Sequence, residues 1–321
     1  MLDNQTLVES ELKTQLSDSL PAAITDTGVE RQLNEDRYGV ITSPAGTAWL
    51  VCDGMGGVSG GELAAQLALD AIRRELENSP ARPCDVALAS SIREANRVIV
   101  LRRQNKLFSG MGTTVSAVMF NGSQLAIASV GDSRIYLVRD GAIQQLSVDH
   151  TYVQELVDQG KIKAEDALAH PQAHVLTKCL GSEVALDVDV KKYWIWPADQ
   201  SGVTDFIVLC TDGLYSLVTE GEIANCVSAL APAEACSKLV ELSRARGGFD
   251  NITIAIVPVG GVIRNDPLPA SIAESDSAEG ELKRSVNVVS RDWLKMLILV
   301  GVLSGLAMAV TVIAVLLFLT R

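Results

Sequence analysis

Residues 114–120 (TVSAVMF), 124–130 (QLAIASV) and 134–139 (RIYLVR) are three short apolar runs, separated by Asn121-Gly122 and Gly131-Asp132 and closed by Asp140-Gly141. Each run is too short for a stable helix, and the dipeptides between them are strong turn formers. The reading is a meander of antiparallel strands.

Upstream, residues 48–52 (AWLVC) form another apolar run, ending at Asp53 and a glycine-rich turn. Residues 58–78 then carry Leu63, Leu67, Ile72 and Leu76 at helical spacing, and 85–104 continue that texture beyond Pro80 and Pro83. On the C-terminal side, 149–180 reads as helical and holds His150, His170 and His174. Strands are expected at 186–194 and 205–210, helices near 219–230 and 232–246, and a last strand at 251–257. Paired helices alternating with antiparallel strands specify an α/β (α+β) fold. Its form is an antiparallel β-sandwich flanked by helices on both faces (αββα), not a doubly wound parallel sheet. The body is expected over 21–259, preceded by a flexible, polar segment over 1–20.

The net charge of −12 argues against a nucleic-acid backbone as the main partner. It suits either an ordinary acidic protein or one that collects carboxylates for metal binding. The six cysteines show no C-x-x-C pairing and read as small buried hydrophobes in a reducing compartment. The N-terminus carries Asp3, Glu9 and Glu11 and no secretory h-region. Residues 260–292, rich in Pro, Ser, Glu and Asp, read as a linker.

Residues 296–320 hold no charge. A helix of that length is roughly 37 Å long against about 30 Å of bilayer hydrocarbon, so 293–321 is expected to be one C-terminal transmembrane helix. Lys283, Arg284, Arg291 and Lys295 precede it and only Arg321 follows, which keeps the body cytoplasmic. Trp293 stands where an interfacial anchor belongs, and Gly301, Gly305 and Ala309 form a small-residue face suited to helix pairing, hence a weak homodimer.

Four aspartates stand where apolar strands end: Asp36 in RQLNED, Asp53 in DGMGG, Asp212 in TDG and Asp250 in DN. Each Asp-Gly or Asp-Asn is first of all a turn signal. Brought together, such carboxylates repel one another, and a divalent cation relieves that. Oxygen-only ligands point to Mg²⁺ or Mn²⁺ rather than zinc.

Glu35-Asp36, the Asp53 glycine loop, Gly110-Met111-Gly112-Thr113-Thr114, Gly131-Asp132-Ser133-Arg134, Thr211-Asp212-Gly213 and Asp250-Asn251 occur in the order typical of type 2C, metal-dependent protein phosphatases. The resemblance covers about 24–258. It is closest to the bacterial branch, because Met55 stands where many eukaryotic members carry histidine. It implies a protein serine/threonine phosphatase using two Mn²⁺ or Mg²⁺ ions, with phosphorylated proteins as substrates; the C-terminal run adds the expectation of the bacterial inner membrane. By that resemblance Asp53 bridges both metals, Gly54 adds its carbonyl, and Asp212 and Asp250 complete the set. Glu35 and Asp36 hold metal-bound waters, and Arg31 grips the substrate phosphate with a planar fork. The membrane anchoring, by location alone, points to a transmembrane serine/threonine kinase or its targets as partners.

Two departures are noted. The family's general-acid histidine is Met55 here, and methionine donates no proton. Gly110 stands where many bacterial members have an aspartate that helps bind a third metal, so that site is expected to be weakened. Gly131-Asp132-Ser133-Arg134 reads as structural support, the three histidines as solvated or packed, and Trp194 and Trp196 as packing. The alternative functions are a membrane-tethered phosphoprotein-binding regulatory module without turnover, and a hydrolase of small phosphoesters.

Overall fold

In the computed structural model, residues 20–56, 60–182, 185–198 and 204–267 are described. The chain runs β1 (Ala22–Asp26), β2 (Arg37–Ser43), β3 (Gly46–Cys52) and β4 (Gly54–Met55), then helices α1 (Gly60–Asn78) and α2 (Cys84–Arg103). It continues through β5 (Gly112–Thr113), β6 (Val115–Asn121), β7 (Gln124–Val130), β8 (Arg134–Arg139), β9 (Ala142–Gln145) and α3 (Tyr152–Asp158). Last come β10 (Asp189–Pro197), β11 (Phe206–Cys210), α4 (Asp212–Tyr215), α5 (Glu220–Ala229), α6 (Pro232–Ala245), β12 (Ile252–Pro258) and β13 (Gly261–Arg264).

Two antiparallel sheets result, one ordered β1-β12-β11-β8-β9 and the other β13-β10-β7-β6-β3-β2, with β4 and β5 forming a separate ribbon. Side-chain alternation along each central strand explains the layering. On β6, Val115, Ala117 and Met119 pack against α1 and α2, while Val118 and Phe120 face the other sheet. On β12, Ile252, Ile254 and Ile256 pack against α4, α5 and α6, while Ala255 and Val257 face inward. Both faces of these strands are apolar because both are covered. Three cores follow, one between the sheets and one under each helical layer, which is the expected αββα sandwich.

Several local expectations are corrected. The three founding runs do not form one meander. β6 and β7 pair as a hairpin, with Asn121 opposite Gln124, but β8 leaves that sheet and pairs with β11 in the other. Gly131 makes the crossing at φ +104, a conformation costly for any residue with a Cβ. The Asp140-Gly141 signal does close a two-residue hairpin, at φ +48 and +76. The stretch 149–180 is not one helix. After α3 it holds a short 3₁₀ turn over Ala164–Asp166 and then turns, because too few of its apolar side chains meet a core. Residues 261–264, read as linker, are β13, paired with β10. Among the described residues no helix is long and apolar enough to cross a membrane, and the run 296–320 lies outside them, as does most of the 1–20 segment.

Asp205, fully buried just before β11, ties β8 of one sheet to β13 at the edge of the other. It accepts two hydrogen bonds from Arg139 on β8, both 2.7 Å, and one of 2.5 Å from the Ile263 amide on β13. Removing one partner of such a pair leaves the other uncompensated, at about 3 kcal/mol. Since Arg139 is partly exposed, a loss of about 2 kcal/mol in urea unfolding is expected for Asp205→Ala. An unchanged midpoint would show that the pair does not brace the sandwich.

Candidate active site

The cleft lies at one end of the sandwich, where β3 and β11 stop and β12 begins. β3 ends at Cys52, and Asp53 is fixed at once by its backbone. Its amide donates to Thr114 Oγ1 at 2.9 Å, and its carbonyl accepts from the Thr114 amide and Thr113 Oγ1, both at 2.8 Å. Gly54 lies so close to α1 that a Cβ there would stand 2.1 Å from the Gly61 carbonyl oxygen, so only glycine lets the loop seat.

Asp212 opens α4 directly after β11. Thr211, beside it, donates to Asp36 Oδ2 at 2.8 Å and accepts from the Thr253 amide at 3.0 Å. Asn251, at the start of β12, works as a clamp. Its Oδ1 accepts from the Glu35 amide at 2.8 Å, and its Nδ2 donates to the Thr27 and Leu33 carbonyls, both at 2.9 Å. The 27–35 loop is thereby pinned beside Asp250, and Arg31 Nη2 reaches Asp250 Oδ2 at 2.8 Å.

A cleft of about 630 Å³ results, lined by Arg31, Glu35, Asp53, Gly54, Asp212 and Asp250 among others. Six of the seven sequence-predicted residues are thus brought together. Asp36 is the seventh: it is 1 % exposed and lies under the floor, hydrogen-bonded to Thr211 instead of facing the cleft. Met55 lines the wall. Gly110 does not line the cleft, and the space beside its α-carbon is open.

Two residues escaped the sequence reading. Asp132, read as turn support, sits at the crossing between the sheets, nearly buried, and lines the cleft. His174 Nδ1 stands 3.2 Å from Asp212 Oδ2. Ligand atoms of Asp132, His174 and Asp212 lie within 4.8 Å of one another, a spacing that could hold a cation, and position 110 contributes nothing to it. Asp132 carries the same signal as Asp53 and Asp212, an aspartate beside glycine at a strand end. His174 had no pattern to reveal it, since only the path of the chain after α3 aims it inward.

The electrostatics are those of crowded carboxylates. Burial lifts Asp36 to about 7, opposed by hydrogen bonds from Thr253 and Thr211 and reinforced by Asp212 and Asp250. Burial, then Asp36, Asp212 and Asp132, holds Asp53 well above the usual carboxylate range. Burial and Asp212 lift Asp132 to about 7. Asp212 Oδ1 is buried without a hydrogen-bond partner. An orphaned carboxylate oxygen amid oxygen donors and unbalanced negative charge fits a hard divalent cation.

A sequence model of the protein phosphatase 2C family matches residues 28–242. The chain belongs to this family. The serine/threonine phosphatase stp of Listeria welshimeri is 35% identical over 240 residues, covering 73% of this chain and 93% of that protein. The serine/threonine protein phosphatase PstP of Mycobacterium tuberculosis is 34% identical over 241 residues, 74% of this chain, but the match spans only 44% of PstP. Among solved structures, the catalytic domain of PstP in complex with two manganese ions superposes with a TM-score of 0.64 at 31% identity, covering 74% of this chain and 96% of that one. The expected enzyme class, a bacterial 2C-type protein serine/threonine phosphatase, stands.

The raised carboxylates set a testable linkage. Without cation, the folded protein holds extra protons between about pH 4 and pH 7, so their contribution to stability falls as pH rises through that window. A divalent cation replaces those protons. Excess Mn²⁺ should therefore raise the thermal midpoint more at pH 7.5 than at pH 5.5. At a hundredfold excess over Kd the gain is about 2.7 kcal/mol. Equal shifts at both pH values would mean that the cation binds elsewhere.

Proposed function

We propose that this 2C-family protein hydrolyses phosphoserine and phosphothreonine in proteins, using two Mn²⁺ or Mg²⁺ ions held by Asp53, the Gly54 carbonyl, Asp212 and Asp250. The observation that carries this reading is the convergence of those groups with Arg31 in one cleft. When bound, the cations supply a water of lowered pKa and neutralise charge on the phosphoryl oxygens.

The protein's own groups do the rest. Arg31 is half-exposed and at present spends one nitrogen on Asp250, which leaves the fork free to turn onto a phosphate. The Asn251 clamp fixes its distance from the aspartates. Glu35 lines the cleft and orients groups around the ions, while Asp36 beneath it accepts from Thr211 and so steadies the neighbouring Asp212. Thr114 holds the Asp53 backbone, so the aspartate presents its carboxylate without rearranging. The broad cleft suits a phosphorylated segment of a protein better than a small phosphoester. A binding module without turnover has no observation in its favour, and the presence of Asp53, Asp212 and Asp250 along one cleft supports turnover.

The body is tethered to the inner face of a membrane by residues 293–321, near a transmembrane kinase and its targets, and pairing through Gly301 and Gly305 would make it a dimer. The uncharged run and its flanking charges support the tether.

With Mn²⁺ and a phosphothreonine peptide, phosphate release should be abolished by EDTA and reduced at least about 1,000-fold by Asp53→Ala. Arg31→Ala should act mainly through a KM raised about tenfold. Cation-independent release would refute the two-ion reading. The full chain should sediment with membranes after a carbonate wash, and a chain ending at Pro267, which keeps β13, should not. If both stay soluble, there is no tether.

A further inference from the structure

We propose that the projecting turn after α2 is a docking surface for acidic segments of the phosphoprotein substrate, an inference that rests on the phosphatase reading above. The chain carries net charge −12, yet between Ala95 and Gly131 it has no carboxylate and four cations: Arg97, Arg102, Arg103 and Lys106. Arg97 is spent on Glu94 at 2.7 Å, and Arg103 on the Ser109 and Gly181 carbonyls. Arg102 and Lys106 are exposed, and no carboxylate among the described residues pairs with either. Beside them Leu107 is 85% exposed, more than any other large hydrophobic residue described.

The turn is braced. The Asn105 side chain accepts from the Leu107 amide at 3.1 Å, and the Arg102 guanidinium lies 4.4 Å from the centre of the Phe108 ring. Leu107 is therefore held outward by a rigid support, and ordering it on binding costs little conformational entropy.

The position of the turn favours a substrate. Gly110, four residues beyond Lys106, packs so tightly on Gly56 that a Cβ on Gly56 would stand 2.4 Å from the Gly110 carbonyl oxygen. Met55 and Gly56 line the cleft, so Gly110 joins the base of the turn to the cleft wall. The cleft floor is acidic and repels carboxylates, whereas the turn attracts them. A segment with acidic residues near its phosphorylated residue meets opposite charge at the turn and an apolar contact at Leu107. A bilayer pressed against the same turn would crowd the cleft mouth.

The test uses the full chain in detergent with Mn²⁺ and three substrates: p-nitrophenyl phosphate, a phosphothreonine peptide flanked by glutamates, and the same peptide with glutamines. Arg102→Glu/Lys106→Glu should lower kcat/KM on the glutamate peptide about tenfold through KM, as expected for two exposed ion pairs. It should leave the other two substrates unchanged and abolish the salt dependence of the first. Lys106→Glu alone, whose side chain makes no hydrogen bond or ion pair among the described residues, guards against misfolding and should cost about threefold. If the wild-type enzyme cleaves all three substrates and the variants treat both peptides alike, the docking surface is refuted while the phosphatase reading stands. A parallel detergent-free assay measures binding to vesicles of anionic lipid: if the variants lose only that binding and cleave every substrate as the wild type does, the turn is a membrane contact and the proposal is overturned. Absence of hydrolysis of any substrate by the wild-type protein would overturn both readings.

Discussion

Mutual repulsion of carboxylates is the constraint around which this structure is arranged. Asp36, Asp53, Asp132, Asp212 and Asp250 lie close enough that several raise one another's proton affinity, on top of the burial that raises it first. Such a cluster persists only where rigid backbone holds it. Here the rigidity comes from strand ends, each fixed by packing on both faces of its sheet. Hydrogen bonds from Thr114, Thr211 and Asn251 then stop the loops from relaxing the charges apart.

The same arrangement explains why the site lies where it does. Asp53 follows β3 in one sheet, while Asp212 and Asp250 border β11 and β12 in the other. The cleft is therefore built across the seam of the sandwich, and neither sheet alone could make it. Arg134 adds to the brace: it grips Asp149 at 2.7 Å and lies over the Tyr215 ring, whose hydroxyl donates to the Asp132 carbonyl at 3.0 Å. The Gly131-Asp132-Ser133-Arg134 segment thus both supports the fold and supplies a cleft carboxylate.

Legibility followed the range of the interactions. β6 and β7, their turn, and the paired helices before and after them were readable because periodicity and turn chemistry are local. The jump of β8 to the other sheet was not, since a glycine at positive φ looks the same in a hairpin as in a crossing. β13 hid in a stretch whose composition resembles a linker, and only its partner β10 makes it a strand. The segment after α3 looked helical because its leucines and alanines favour helix, a preference that wins only where a face is buried.

By itself the sequence determined the layer architecture, through alternation along the strands, and the identity of most cleft residues, through aspartates set at strand ends in a family's order. Those are properties of neighbours along the chain. The tertiary structure alone decided that Asp36 lies under the floor and that Asp132 and His174 face Asp212. Each of these depends on the distance between segments far apart in sequence, which is set by how sheets and helices pack and not by any local pattern.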